Sequence, residues 1–149
     1  MSCLRAITTT NFLLCLFTIG CWEQRPEGFV PVTGVFQYPN GSPLTDVPAF
    51  VRFDPYDPEN PDTDEPWRSG LLPGKSCRGE LTPNGHFELL TLRPGDGVAV
   101  GHYKVMLLAE ISASDGPIVN ERYKLYENTP LTAHVKADGK NHFVFQLEK

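Results

Sequence analysis

The sequence predicts an all-β sandwich of seven strands, and three observations carry that prediction. Short runs of alternating apolar and polar residues recur between turn signals. No stretch sustains the repeat of an amphipathic helix. The chain of 149 residues is punctuated by 13 glycines and 14 prolines, which suits short strands joined by tight turns.

The first expected strand is FVPVTGVFQY, residues 29–38, closed by the turn PNGSP, in which Asn40-Gly41 suits positive φ. The second is VPAFVRF, residues 47–53. Val47, Ala49, Val51 and Phe53 share one face, and Pro48, lacking a donor, belongs near an edge or a strand start. SCRGELT and HFELLTL flank PNG and read as a hairpin, with Phe87, Leu89 and Thr91 on one face. RPGDGVAVG, residues 93–101, is a glycine-rich connection. It lacks the spacing of a phosphate-cradling loop and precedes no helix, so it reads as turn chemistry. HYKVMLLA is the strongest strand, with Tyr103, Val105 and Leu107 inward and Lys104 outward. Residues 118–130 read as irregular, with room for one helical turn. LTAHV and HFVFQL flank KADGKN as a second expected hairpin. Leu131, Ala133 and Val135 face Phe143, Phe145 and Leu147 in one core.

Ahead of the first strand, residues 1–20 carry one charge, Arg5, and an apolar run over 12–20. That run is well short of the roughly 20 residues a spanning helix needs. A basic start, a short apolar core and small residues at its end predict a secretory leader. The end of the run, Thr18-Ile19-Gly20-Cys21, resembles the bacterial lipobox at Gly20 and Cys21 and departs from it at Thr18, where Leu is usual. A plain signal peptide cut nearby is the other reading. The lipobox resemblance implies cleavage before Cys21 and diacylation of its sulfur, with residues 21–29 as a tether and 30–149 as the domain. Two acyl chains suffice for stable anchoring. The expected location is therefore the cell envelope, at a membrane without crossing it.

Charge narrows the partners. Asp and Glu total 18 against 13 Lys and Arg, giving a net charge of −5, and the basic residues form no cluster. Nucleic-acid binding, which needs phosphate neutralisation along one face, is not expected. Of 4 cysteines, Cys3 and Cys15 fall in the leader and Cys21 at its end. Cys77 is left alone, which excludes a disulfide framework within one chain. The sequence favours a small buried strand residue there over a reactive thiol.

VTGVFQYPNGSPLTDVPAFVRFDP resembles the opening of carboxypeptidase regulatory-like, transthyretin-like sandwich domains, through Val32, Gly34, Gly41, Pro43, Leu44, Val47, Val51 and Phe53. TPNGHFEL is similar to that fold's Thr-x-x-Gly-x-Phe hairpin through Thr82, Gly85 and Phe87. GHYKVML is similar to its Gly-x-Tyr-x-Val strand through Gly101, Tyr103 and Val105. With the lipobox ahead, the chain resembles small planctomycete-type lipoproteins of this class. The resemblance implies an accessory module and not a catalytic one. Its motifs are turn and core residues, which speak to fold more than to function.

No catalytic motif emerges. The four histidines, His86, His102, His134 and His142, fall on different expected strands, outside any His-Glu-x-x-His pattern. His134 and His142 are expected to meet across the last hairpin. A purine-pathway hydrolase of transthyretin-like fold uses a Tyr-Arg-Gly-Ser tail, whereas this chain ends Gln146-Leu147-Glu148-Lys149. The acidic loop DPYDPENPDTDEPWRSG is the one dense charge cluster. Calcium favours such oxygen-rich loops, which makes Asp54, Asp57, Glu59, Asp62 and Asp64 candidate ligands. The spacing is not that of an EF-hand, and the sequence favours a solvated loop braced by proline. Tyr56 and Trp67 are the candidate binding residues, since aromatic-plus-acidic loops suit sugars or basic peptides. Trp67 serves equally as a core cap. The expectation is thus a non-catalytic binding or structural module without a cofactor, with an envelope protein or carbohydrate as partner. A metal-dependent or hydrolytic enzyme is the alternative.

Overall fold

Pro31 has no N–H to give to a ladder, and it divides the first expected strand in two. Phe29–Val30 (β1) precedes it and Val32–Gln37 (β2) follows. The computed structural model describes residues 27–45, 47–59, 75–109 and 119–148. The expected leader, Cys21 and most of the tether lie outside these residues, as do Asp62, Asp64 and Trp67. After β2 come Ala49–Pro55 (β3), Cys77–Glu80 (β4), His86–Glu88 (β5), Val98–Ala99 (β6), Gly101–Ala109 (β7), Thr132–Val135 (β8) and Asn141–Gln146 (β9). A 3₁₀ turn, Glu121–Tyr123, lies in the stretch expected to be irregular, and no α-helix occurs among the described residues. The fold is all-β. Nine strands appear among the described residues, because β1 and β6 add a short antiparallel pair to the expected runs.

Two larger sheets form a sandwich-like arrangement, one ordered β5-β2-β9 and the other β4-β3-β7-β8. β2 and β9 run parallel, while the remaining pairs are antiparallel. Alternation then sends one set of side chains from each sheet inward. Val32 and Phe36 meet Val51, Phe53, Tyr103, Val105 and Leu107, all buried. The Phe53 ring lies 6.0 to 6.1 Å from the rings of Tyr103, Phe87, Phe143 and Phe145, which ties the two sheets together. Burying one large apolar side chain contributes about 1.5–3 kcal/mol. At Gly34 a side chain is excluded, because a Cβ would run into the Phe87 ring and the Phe143 carbonyl. At Gly41 the backbone takes φ 82°. That turn returns the chain so that the Leu44 N–H reaches the Phe36 carbonyl at 2.8 Å and Leu44 enters the core.

The second expected hairpin does not form. β8 pairs with β7, whereas β9 pairs with β2 in the opposite sheet. Ala133 and Val135 do share a core with Phe145 and Leu147, but across the sandwich and not along one sheet. Asn141 explains the short connection. Its side chain accepts from the Lys136 N–H and donates to the Lys136 carbonyl, both at 2.9 Å. One side chain thus closes the turn that a backbone ladder would close in a hairpin, and the β9 backbone is free to pair with β2. The first expected hairpin is also modified. β4 joins β3 and β5 joins β2, so no ladder links the two; they pack at Gly79 against Glu88, and one isolated bridge joins Arg78 to Leu90 just beyond β5. The turn between them is held by Thr82: its N–H donates to the His86 carbonyl, its carbonyl accepts from the Gly85 N–H and its hydroxyl accepts from the His86 N–H.

The glycine-rich connection has a definite internal support. One Asp96 oxygen accepts from the Thr91 N–H at 2.9 Å. The other accepts from Leu92 and Arg93 at 2.7 and 3.0 Å. Thr91 Oγ1 donates to the Gly97 carbonyl at 2.7 Å. Asp96 is buried. Burial alone would raise its pKa, but the three backbone bonds and the Arg93 charge outweigh it and leave the carboxyl below its ordinary value.

Candidate functional site

Strand register decides which polar side chains meet on the outer face of the four-stranded sheet. Glu80, Phe50 and Leu108 form one row across β4, β3 and β7. Arg78, Arg52 and Met106 form the next, followed by Asp54, Lys104 and Thr132. His102 and His134 stand opposite each other at the far end. Each row is a set of direct neighbours, so side chains remote in sequence are brought within reach of one another.

At the histidine end, the two imidazoles stack with centroids 4.0 Å apart and planes 22° from parallel. Tyr56 meets His102 edge-on at 6.1 Å, and its N–H bonds the His102 carbonyl at 3.0 Å. A cleft of about 300 Å³ is lined by Tyr56, Asp57, Glu59 and His102, with Pro55, Pro58 and Gly101. Desolvation comes first, followed by the charges of His102 and Lys136, in holding His134 below the ordinary imidazole value.

The structure divides the calcium candidates it describes. Asp57 and Glu59 line the cleft, and Asp57 already uses one oxygen to accept the Glu59 N–H at 2.9 Å. Asp54 does not join them. It is buried on β3, where it accepts from Arg52 Nε at 2.9 Å. Its charge, after desolvation, helps push the Tyr126 hydroxyl up to about 12. Among the described residues, no three His, Cys, Asp or Glu side chains converge to hold a metal ion. Of the two binding candidates, Tyr56 lies in the cleft wall, while Trp67 is outside the described residues. The expected meeting of His134 with His142 does not occur, because β8 and β9 belong to different sheets. His102 takes the place of His142. Only knowledge of the β7–β8 register would have revealed it, since no spacing along the chain encodes that pairing.

His142 instead shares a hydrogen bond of 2.9 Å with Thr33 Oγ1 on the outer face of the three-stranded sheet. A hydroxyl beside an imidazole is the first half of a nucleophile–base arrangement. Glu88 sits opposite Thr33 on the other side, away from His142, so it is poorly placed to orient the ring. Both partners of the bond are exposed, and the contact reads as surface pairing.

Cys77 is buried on β4, and its thiol points to the Phe53 carbonyl at 3.8 Å. Burial, followed by the negative charges of Asp54 and Asp96, pushes its pKa far above that of a free thiol. The thiolate is the reactive form, so Cys77 is inert while the protein is folded. Iodoacetamide at neutral pH should leave it unmodified in the native chain and modify it in urea. Comparable rates in both states would contradict this placement.

At the other end of the face, a larger cavity of about 510 Å³ is lined by Phe50, Arg52, Arg78 and Leu108, with Ser76 and Thr91 at its side. No spacing along the chain marks this group, since Arg52 and Arg78 meet only through the β3–β4 register. Its two arginines come from strands that face each other only after the acidic loop has been crossed. No protein-family model, curated protein or solved structure matches the chain.

Proposed function

We propose that the chain is a non-catalytic, lipid-anchored module of the cell envelope. A cleaved leader exports it, and acyl chains on Cys21 hold it at a membrane. Its body is a seven-stranded transthyretin-like sandwich of the carboxypeptidase regulatory-like class, supplemented by the short β1–β6 pair. The residues behind that resemblance serve structure. Gly34 and Gly41 satisfy steric demands, and Leu44, Val51, Phe53, Phe87, Tyr103 and Val105 build the core. Such a pattern supports a fold assignment and leaves function to the surface.

The observation that carries a binding role is the outer face of the four-stranded sheet. Concave regions with aromatic and charged walls lie at its arginine end and its histidine end, and a further one of about 550 Å³ extends from Phe50 and Arg78 to Glu80 and Glu88. The partner is an envelope component, protein or carbohydrate, and not a nucleic acid, given 18 acidic residues against 13 basic. The anchoring is tested by feeding labelled palmitate to cells expressing the full chain or Cys21→Ala, with and without globomycin. Label should enter the wild type only, and globomycin should block processing. A wild-type chain that takes up no label would overturn the anchor.

A further inference from the structure

Arg52 and Arg78 stand directly opposite each other on β3 and β4. Like charges in that relation repel, so the arrangement favours a negative partner. Asp54 supplies one, through a single bond to Arg52 Nε. The Arg52 side chain remains 43% exposed, with the rest of its fork open. Among the described residues, no carboxylate forms an ion pair with Arg78. Glu80 and Glu88 line an adjoining hollow with the same Arg78 and Phe50, but neither forms an ion pair with Arg78, so both guanidinium forks keep donors open to an outside carboxylate. Beside them, Phe50 and Leu108 face each other in register and are 41% and 38% exposed. Both pairs line the cavity of about 510 Å³.

We infer that this cavity binds a small organic carboxylate with an apolar body. The carboxylate lies on Arg78 and the open edge of Arg52, and the aryl or alkyl body lies on Phe50 and Leu108. The inference rests on reading this sheet face as the binding surface. A planar carboxylate matches the guanidinium fork with two parallel hydrogen bonds. Inorganic phosphate would satisfy the arginines but gain nothing from the apolar flank. A cation would be repelled. The cavity volume falls in the range of small-molecule sites. The acidic cleft at the histidine end would repel the same ligand, so the two ends of the face differ in what they accept.

The test is calorimetric titration of the purified full-length chain with three probes: 4-phenylbutyrate, its neutral amide and inorganic phosphate. The carboxylate should bind at one site, roughly 10-fold or more tighter than either of the others, and added salt should weaken it. Arg78→Gln and Phe50→Ser should each weaken it by a similar factor with thermal unfolding little changed, since both residues are exposed. Lys140→Gln, at an exposed turn outside the cavity, should bind as the wild type does. Equal binding of acid and amide, undiminished binding by Arg78→Gln, preference for phosphate, or no heat with the wild type at millimolar carboxylate would each overturn the inference. Palmitate labelling at Cys21 reads the anchor independently, so failure of the titration leaves that result standing.

Discussion

Phe53→Ala lowers the unfolding free energy by about 3–5 kcal/mol. Phe53 is fully buried and its ring neighbours come from both sheets: Tyr103 from its own, and Phe87, Phe143 and Phe145 from the opposite one. Truncation removes the ring's transfer free energy and leaves a void that aromatic neighbours on two rigid sheets are poorly able to fill. The loss is a sizeable fraction of the 5–15 kcal/mol that stabilises a typical domain. Phe53→Leu retains part of the volume and should cost clearly less. Urea titration followed by circular dichroism measures both, with an unchanged slope showing that stability and not cooperativity has moved. A loss under 1 kcal/mol for the alanine variant would mean that Phe53 does not bridge the sheets.

Phe53 was legible in the sequence because alternation along residues 47–53 marks its face directly. The same rule placed Tyr103, Val105 and Leu107, all fully buried. Period-2 alternation reports which way a side chain points and says nothing about which strand lies alongside. That is why the last two strands read as a hairpin in the sequence. Their short connection looked like one, and the decisive residue, Asn141, acts through a side-chain bond that no periodicity reveals. The candidate sites suffer more from this gap than the core does. Arg52 with Arg78, and His102 with His134, become neighbours only through cross-strand register. The acidic loop announced itself as a run of like charges, yet one of its members, Asp54, belongs to a strand and is paired to Arg52.

Asp96→Ala should destabilise the protein by about 3 kcal/mol, because three backbone N–H groups lose the charged acceptor they share. Three consecutive N–H groups, of Thr91, Leu92 and Arg93, converge on this one carboxylate. Hydrogen bonds to a charged acceptor contribute more than neutral ones, and donors left unsatisfied carry their desolvation cost. Alanine removes all three acceptor contacts together, and the connection that feeds β6 and β7 loses its internal support. The pH dependence follows from the direction of the shift. The folded-state carboxyl lies below the ordinary value of 3.8. The unfolded chain therefore binds the proton first, and the contribution is present in full above that value. It fades as pH falls through 3.8 toward the depressed folded value. Wild-type stability should thus drop more steeply below pH 4 than that of Asp96→Ala or Asp96→Asn, while at neutral pH the asparagine variant should sit between the other two. Parallel acid-unfolding curves for wild type and Asp96→Asn would show that the ionised carboxylate contributes nothing beyond its shape, and that this connection is held by the Thr91–Gly97 bond instead.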